Sequence, residues 1–474
     1  MIYIHWAILT LYIFVVVAAM VTVLMDHRQP AKTMAWILVL SFMPLVGIVL
    51  YFFFGRNIRK ERIISQSSLD QLTKRSMLEF VEQKDLQLPE CHRTLIDLFT
   101  NQSWALPFKN NLVEIYTSGY EFFPELLSAI GKAKEHIHLD TYIIEDDPLG
   151  HLIADALIDK VREGVKVRLI YDDVGCWDVK NCFFEHLREE GIEVRPFMPV
   201  RFPAFTGKVN YRNHRKVCVI DGRVGYIGGM NIALRYVKGR KGNEWRDTHM
   251  RLVGCAVYGL QRAFLQDWFF VDQTLITSCK YYPELDLDIV NDCIVQVVTS
   301  NPTSPWPDLE QGYVRTLLSA RHYVYMETPY FLPTEPILFA MRTAAVAGID
   351  VRLMVPRYGD AKLVEWASRS YVMEAVKAGV KVYFYEGGFN HSKLLICDDS
   401  LASCGSANVD FRSFENNFEA NAFIYDKDVA LKLKQVFLKD QGKCTLVNES
   451  QDLQQRPFVN RLWESVVRLL SPLL

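Results

Sequence analysis

The sequence has no CxxC pair and no regular cysteine spacing, although it contains ten cysteines. It also has no GxGxxG, GxSxG or P-loop motif. These absences argue against a zinc or disulfide framework, a dinucleotide fold, a serine hydrolase and a Walker-type nucleotide site. Charge is scarce as well: 53 Lys and Arg against 55 Asp and Glu give a formal net of −2. A chain this near neutrality does not coat nucleic acid by charge, so any polyanion site must be local. Cys218, Cys255 and Cys397 sit in apolar stretches and are expected to be reduced, which favours a cytoplasmic address.

Uninterrupted apolar sequence is present in quantity. Residues 6–25 and 33–55 carry no charged side chain, and each matches the roughly 20 residues that cross a bilayer core as a helix. The joining "DHRQPAK" is short and polar, so the pair predicts a transmembrane hairpin over 1–56. No Lys or Arg precedes the first run, which argues against a cleaved signal peptide. Arg28 and Lys32 in the loop are outnumbered by Arg56, Arg59, Lys60 and Arg62, placing both termini and the downstream chain on the cytoplasmic side. Residues 57–110 read as a linker, with "LTKRSMLEFVEQK" as a surface helix.

Beyond residue 110 the chain repeats itself. "FPELLSAIGKAKEHIHLDTYII" is answered by "EQGYVRTLLSARHYVYMETPYFL", "EGVKVRLIYDD" by "AGIDVRLMVPR", and "GIEVRPF" by "GVKVYFY". Each pair is a helix end, a glycine and a β-branched strand, which predicts duplicated α/β halves with mostly parallel sheets over 111–295 and 296–446. Such halves are expected to meet about a pseudo-twofold axis. In the tail, 447–474, Leu462, Val466, Leu469, Leu470 and Leu473 form an apolar face beside Arg461 and Arg468.

The reactive residues recur in register. "NHRKVCVID" gives His214, Lys216 and Asp221, followed by Gly228, Gly229 and Asn231; "NHSKLLICD" gives His391, Lys393 and Asp398, followed by Gly405, Ser406 and Asn408. His to Asn spans 17 residues in both copies, and Arg235 and Arg412 follow four residues later. On strands, each His and Lys would share a face. Two imidazoles, two ammoniums and two carboxamides suit the oxygens of a phosphate, with groups that exchange protons or attack phosphorus near neutral pH. An imidazole nucleophile needs an acceptor on its second nitrogen. Asp247 in "WRDTHMRLVG" and Glu419 in "NNFEANAFIY" are the candidates, Asp247 aiming the first motif's ring. The acidic clusters "IEDDP", "YDDVG" and "CDDS" read as turns and caps before Mg²⁺ ligands, and His136 and His138 as packed.

These residues resemble the paired HKD motifs of the phospholipase D superfamily. The apolar spans, the "WRDTHMRLVG" strand and the terminal "RLLSPLL" narrow the resemblance to bacterial cardiolipin synthases. The first motif departs by ending Gly-Gly where the superfamily has Gly-Ser, leaving only Ser406 for a hydroxyl contact. The resemblance implies a multi-pass enzyme of the bacterial inner membrane that needs no cofactor or metal. Phosphatidylglycerol would be its substrate, cardiolipin its product, and nucleic acid no partner. It further implies a covalent phosphohistidine, Lys216, Lys393, Asn231 and Asn408 on the phosphate oxygens, and a structural duty for Asp221 and Asp398. A hydrolytic phospholipase D and, further off, an HKD-type nuclease are the alternatives.

Overall fold

The structure, a computed structural model, describes residues 2–25, 30–51, 55, 86–200, 210–240, 242–285, 289, 291–448 and 457–473. It divides into one unit of Met1–Arg62 with Val200–Tyr211 and another of Ile63–Pro199 with Arg212–Leu474.

In the first unit, helix Ile2–Met25 is apolar throughout. It is the one helix among the described residues long and apolar enough to cross a membrane. The second apolar run is not a single helix as expected: it forms Pro30–Phe42 and Pro44–Leu50. Proline has no N–H to offer the carbonyl four residues back, and at Met43 the backbone leaves helical geometry (φ −135°, ψ 60°) before Pro44 starts a new helix. Val23, Leu40 and Tyr51 are buried together, and Trp36 meets the Tyr51 ring edge-on at 5.3 Å. The basic residues Arg28, Arg56, Arg59, Lys60 and Arg62, and the expected helix of 72–84, lie outside the described residues.

The second unit holds two large mixed sheets of one plan. The first runs in the order Asn111–Tyr116, His249–Gly254, Val224–Gly228, Lys216–Ile220, His136–Thr141, Lys166–Asp172, Glu193–Phe197. The second repeats it as Ile294–Ser300, Glu419–Tyr425, Leu401–Gly405, Leu394–Cys397, Tyr323–Glu327, Asp350–Pro356, Lys381–Tyr385. It gains Pro107–Phe108 at one edge and Cys444–Leu446 at the other. Residues from the stretch read as a linker thus join the second half, and Leu95, Ile96 and Phe99 of helix Arg93–Ser103 are in its core.

The sheets are less parallel than expected. Within the first, only His136–Thr141 with Lys166–Asp172, and Lys166–Asp172 with Glu193–Phe197, pair in parallel. The motif strand instead turns back on itself at Asp221 and Gly222, and a hairpin return is antiparallel by construction.

A common core joins the halves. Val217, Val219, Met250 and Leu252 from one sheet and Val295, Ile396, Ala420 and Ala422 from the other close on helices Val257–Asp272 and Lys427–Gln441. The mutual packing fixes the two motif strands relative to each other. That is the geometry the site requires.

At each motif hairpin an aspartate takes a left-handed conformation, Asp221 at φ 54° and Asp398 at φ 49°. Asp221 accepts the backbone N–H groups of Lys134, Glu135 and His136, each at 2.8 Å. Asp398 accepts those of Arg321, His322 and Tyr323 at 2.7, 2.9 and 2.8 Å. Each therefore ties the motif hairpin to the start of the neighbouring strand. Asp221→Ala strands three donors and should lower unfolding free energy by about 2 kcal/mol, read as a lower melting temperature. Turnover per folded enzyme is expected to hold.

Candidate active site

The motif strands begin at or just after the lysines, Lys216–Ile220 and Leu394–Cys397, so the histidines precede the strands they were expected to occupy. Their backbones are instead held by the opposite half. His214 N–H donates to the Phe418 carbonyl at 2.9 Å, and His391 N–H to the Arg246 carbonyl at 2.7 Å. Segment Gly388–Asn390 pairs in parallel with Glu244–Arg246, and Asn213 bridges to Phe418 in the same sense.

The imidazoles cross over too. His214 Nδ1 lies 3.1 Å from both carboxylate oxygens of Glu419, while His391 Nδ1 lies 2.7 Å from Asp247 Oδ2. Asp247 therefore does not aim the first motif's ring, as expected, but the second's. The residues after Phe418 and Arg246 are Glu419 and Asp247, so each histidine takes its backbone and side-chain partners from one short segment. Nothing in a linear reading pairs residues across a twofold axis.

Ser406 and Gly229 explain each other. The Ser406 hydroxyl donates to Glu419 Oε2 at 2.5 Å and accepts from Ala420 N at 3.0 Å, so it braces the acid and is not left free for a ligand as expected. At Gly229 a Cβ would fall 2.1 Å from Asp247 Oδ1. The first half thus pairs a shorter acid with a glycine where the second pairs a longer acid with a serine. The Gly-Gly ending accommodates Asp247.

The lysines complete the cluster. Lys216 Nζ donates to the His214 carbonyl at 2.5 Å; Lys393 Nζ reaches the His391 carbonyl and lies 2.8 Å from His391 Nδ1. All these side chains are buried. Burial, with Lys216 and Lys393 opposing a further positive charge, pushes His214 down to about 4 against the pull of Glu419. Burial and the positive charges of Lys393, Lys216 and Arg235, with that of His214 whenever it is protonated, hold His391 well below its ordinary value. Burial and mutual repulsion bring Lys216 to about 7; burial brings Lys393 to about 8 against the attraction of Asp247 and Glu419. Burial would raise Glu419, but His214, Lys216 and Ser406 outweigh it and hold it at about 2. The resting arrangement is two neutral imidazoles beside carboxylates, with ammoniums that give up protons easily.

Asn231 and Asn408 are both at the site but are engaged differently. Asn231 accepts from Ile143 N at 3.2 Å and donates to the Tyr236 hydroxyl at 2.8 Å; Asn408 donates to Asp410 at 3.0 Å, and its side-chain oxygen has no partner among the described residues. Aromatic walls went unread in the sequence. Tyr142 meets His214 at 4.9 Å with Lys216 over its ring, and Tyr236, Trp245, Tyr330 and Phe389 surround His391 at 5.7 to 6.2 Å. No periodicity marks them, because they come from one short helix, two three-residue strands and loop positions after or before strands. The acidic clusters do cap and turn: Asp147 accepts from Leu149 and Gly150 N, and Asp172 from Val174 and Gly175 N. His136 and His138 bond Gln261 inside the first half.

Gly229→Ser forces Asp247 away from His391, and a misplacement of this kind costs about 100-fold in turnover. Ser406→Gly removes one donor from Glu419 but leaves those of Asn417 and His214, so it should cost far less; comparing the two kcat values with matched melting temperatures tests the assignment.

Comparison with known proteins places this geometry. A family model described as the cardiolipin synthase, phospholipase D-like domain matches twice, over residues 126–254 and 313–441. A phospholipase D-nuclease N-terminal model matches 13–56. The cardiolipin synthase of Geobacillus kaustophilus is 41% identical over 458 residues, covering 95% of this chain and 90% of that protein. The major cardiolipin synthase of Bacillus subtilis is 39% identical over 478 residues, covering 98% of each. Among solved structures, the phosphatidylserine synthase of Haemophilus influenzae superposes with a TM-score of 0.64 at 15% identity, over 81% of this chain and 100% of that one, a likeness of fold. Matched twice by one domain and aligned to such relatives over nearly its full length, the chain belongs to the cardiolipin synthase family of phospholipase D-like proteins.

Proposed function

We propose that this chain is a cardiolipin synthase, transferring a phosphatidyl group from one phosphatidylglycerol to the terminal hydroxyl of another and releasing glycerol. The observation that carries this reading is the crossed pair, His214 on Glu419 and His391 on Asp247, with Lys216 and Lys393 between them. With Nδ1 of each ring engaged, Nε2 is the nitrogen left for chemistry.

His214 Nε2 attacks phosphorus and the bond to glycerol breaks. His391, as imidazolium, gives the leaving oxygen its proton. The lipid's anionic phosphate offsets Lys216 and Lys393, which raises the proton affinity of His391 so that it can hold that proton. The acceptor's hydroxyl then returns a proton to His391 while its oxygen displaces His214 from phosphorus. Atoms balance as two phosphatidylglycerols to one cardiolipin and one glycerol. Such acid-base assistance is worth about 10²–10⁴-fold, and ammonium donors at the non-bridging oxygens add electrostatic stabilisation in a dry site.

The apolar amino terminus fits this reading. A diacyl substrate leaves the bilayer at great cost, so the body must work at its surface. The reading includes a two-segment membrane hairpin, a cytoplasmic body in two halves and an inner-membrane location in a bacterial cell. Pro44 does not oppose it, since prolines are tolerated where membrane helices bend. Helix Phe458–Arg468 exposes Phe458, Val459 and Leu462, suiting a lipid interface.

Purified enzyme in detergent, given phosphatidylglycerol alone with a chelator, is expected to yield cardiolipin and glycerol in equal amounts. Phosphatidic acid as the main product would establish hydrolysis instead. His214→Ala and His391→Ala should each remove turnover.

A further inference from the structure

Each motif histidine follows an asparagine that the steps above do not use. Asn213 and Asn390 are buried. The side-chain oxygen of each accepts the N–H two residues on, Arg215 at 3.1 Å and Ser392 at 3.0 Å, so an Asx turn spans each histidine. Their amides reach a buried acid at matching places on the neighbouring strands. Asn213 Nδ2 lies 2.9 and 3.1 Å from the Asp140 oxygens, and Asn390 Nδ2 lies 3.3 Å from Glu327 Oε2.

Behind each acid stand a second acid and one arginine. Asp140 faces Asp267, which pairs with Arg215. Glu327 faces Asp440, which binds Arg246 through Nε at 2.8 Å and Nη2 at 2.7 Å. In both clusters the guanidinium pairs with one carboxylate, and Lys216 attracts Asp140 without forming an ion pair with it, so a second buried carboxylate would be compensated only in part. The acid without its own arginine is Asp140 in one half and Glu327 in the other.

We propose that Asp140 and Glu327 are positioning residues that work as neutral carboxylic acids, each fixing the asparagine before a motif histidine and thereby the imidazole itself. The proposal rests on the transfer mechanism above for the use made of those imidazoles.

Electrostatics agree with the geometry. Burial and Asp267 hold Asp140 well above the usual carboxyl range. Burial, with Asp440 adding and Arg246 opposing, raises Glu327 to about 7. Facing Glu327 are Arg246 from strand Glu244–Arg246, Asp440 from helix Lys427–Gln441, the thiols of Cys404 and Cys444, and the polar side chains of Asn390 and Ser392. The working form is protonated, so it persists below that range and is lost as pH rises through it. Ionised, Glu327 competes with Asp440 for Arg246. The Arg246 carbonyl holds the His391 N–H, and the next residue, Asp247, holds its ring.

The test is kcat against pH for the full-length enzyme in mixed micelles, read as phosphatidylglycerol consumed. Wild type should decline as pH rises through about 7. Glu327→Gln, a permanently neutral near-isostere, should stay within about 3-fold of wild type at lower pH and lose that decline, the remaining limb moving to higher pH. Glu327→Met, which cannot accept from Asn390, should lose about 10–100-fold in kcat with KM little changed. Asp140→Asn should retain activity as Glu327→Gln does. The proposal is overturned if Glu327→Gln keeps the wild-type decline, if it falls as far as Glu327→Met, or if Glu327→Met turns over like wild type. Should Glu327→Met not fold, the Glu327→Gln profile decides alone. Consumption that yields phosphatidic acid refutes the synthase reading and leaves this test standing.

Discussion

Each motif imidazole is held by the half of the protein that does not carry it. The peptide N–H of His214 and its Nδ1 are both satisfied within Phe418–Glu419, and those of His391 within Arg246–Asp247. Neither half alone completes a site, because a lone half has a histidine without an acid and an acid without a histidine. The shared apolar core between the sheets is therefore part of the active-site scaffold as well as a source of stability. Arg246 reinforces the link, joining the first half's strand to Asp440 on the second half's helix.

Burying this much charge has a consequence for function. Two lysines and two histidines in one dry cluster depress one another's proton affinity, and two carboxylates compensate them only in part. Replacing such a cluster with apolar side chains would commonly be neutral or stabilising, so its presence reflects chemistry more than folding. An anionic phosphodiester is the natural complement, since it supplies the negative charge the cluster lacks. In the transfer proposed above, binding and activation would then be one event, the arriving phosphate raising the proton affinity of the cluster.

Much of this was legible in the sequence. The duplicated strings place matching strands in matching order, and the spacing from His to Asn marks the two motifs as equivalents. What escaped has physical reasons. The crossed pairing depends on a rotation between halves, for which no periodicity speaks. The turn at Asp221 and Gly222 and its returning strand are legible, but a mostly parallel sheet does not follow from them, because a hairpin return is antiparallel. Pro44 sits inside a run whose hydropathy is uniform, and hydropathy is blind to a missing N–H. Asn213 and Asn390 stood in the quoted motifs, but an asparagine beside a histidine has no signature until the acid it bonds is known.

The asymmetry between halves shows how duplication can diverge without losing geometry. Glu419 is one methylene longer than Asp247, and it approaches a histidine beside a serine hydroxyl; Asp247 approaches beside a bare glycine. Length and neighbour have changed together, so both imidazoles keep an acceptor at hydrogen-bond distance. What differs is the electrostatic setting. Glu419 is pinned ionised by His214, Lys216 and Ser406, whereas burial raises Asp247, opposed chiefly by Lys393. The His214 ring thus leans on a fully charged partner, a setting suited to stabilising positive charge on the ring. The His391 ring leans on a weaker one and has a lysine 2.8 Å from its own nitrogen, suited to a proton held briefly and passed on. A symmetric pair of sites would give two equivalent imidazoles; unequal acids give the two histidines different electrostatic settings.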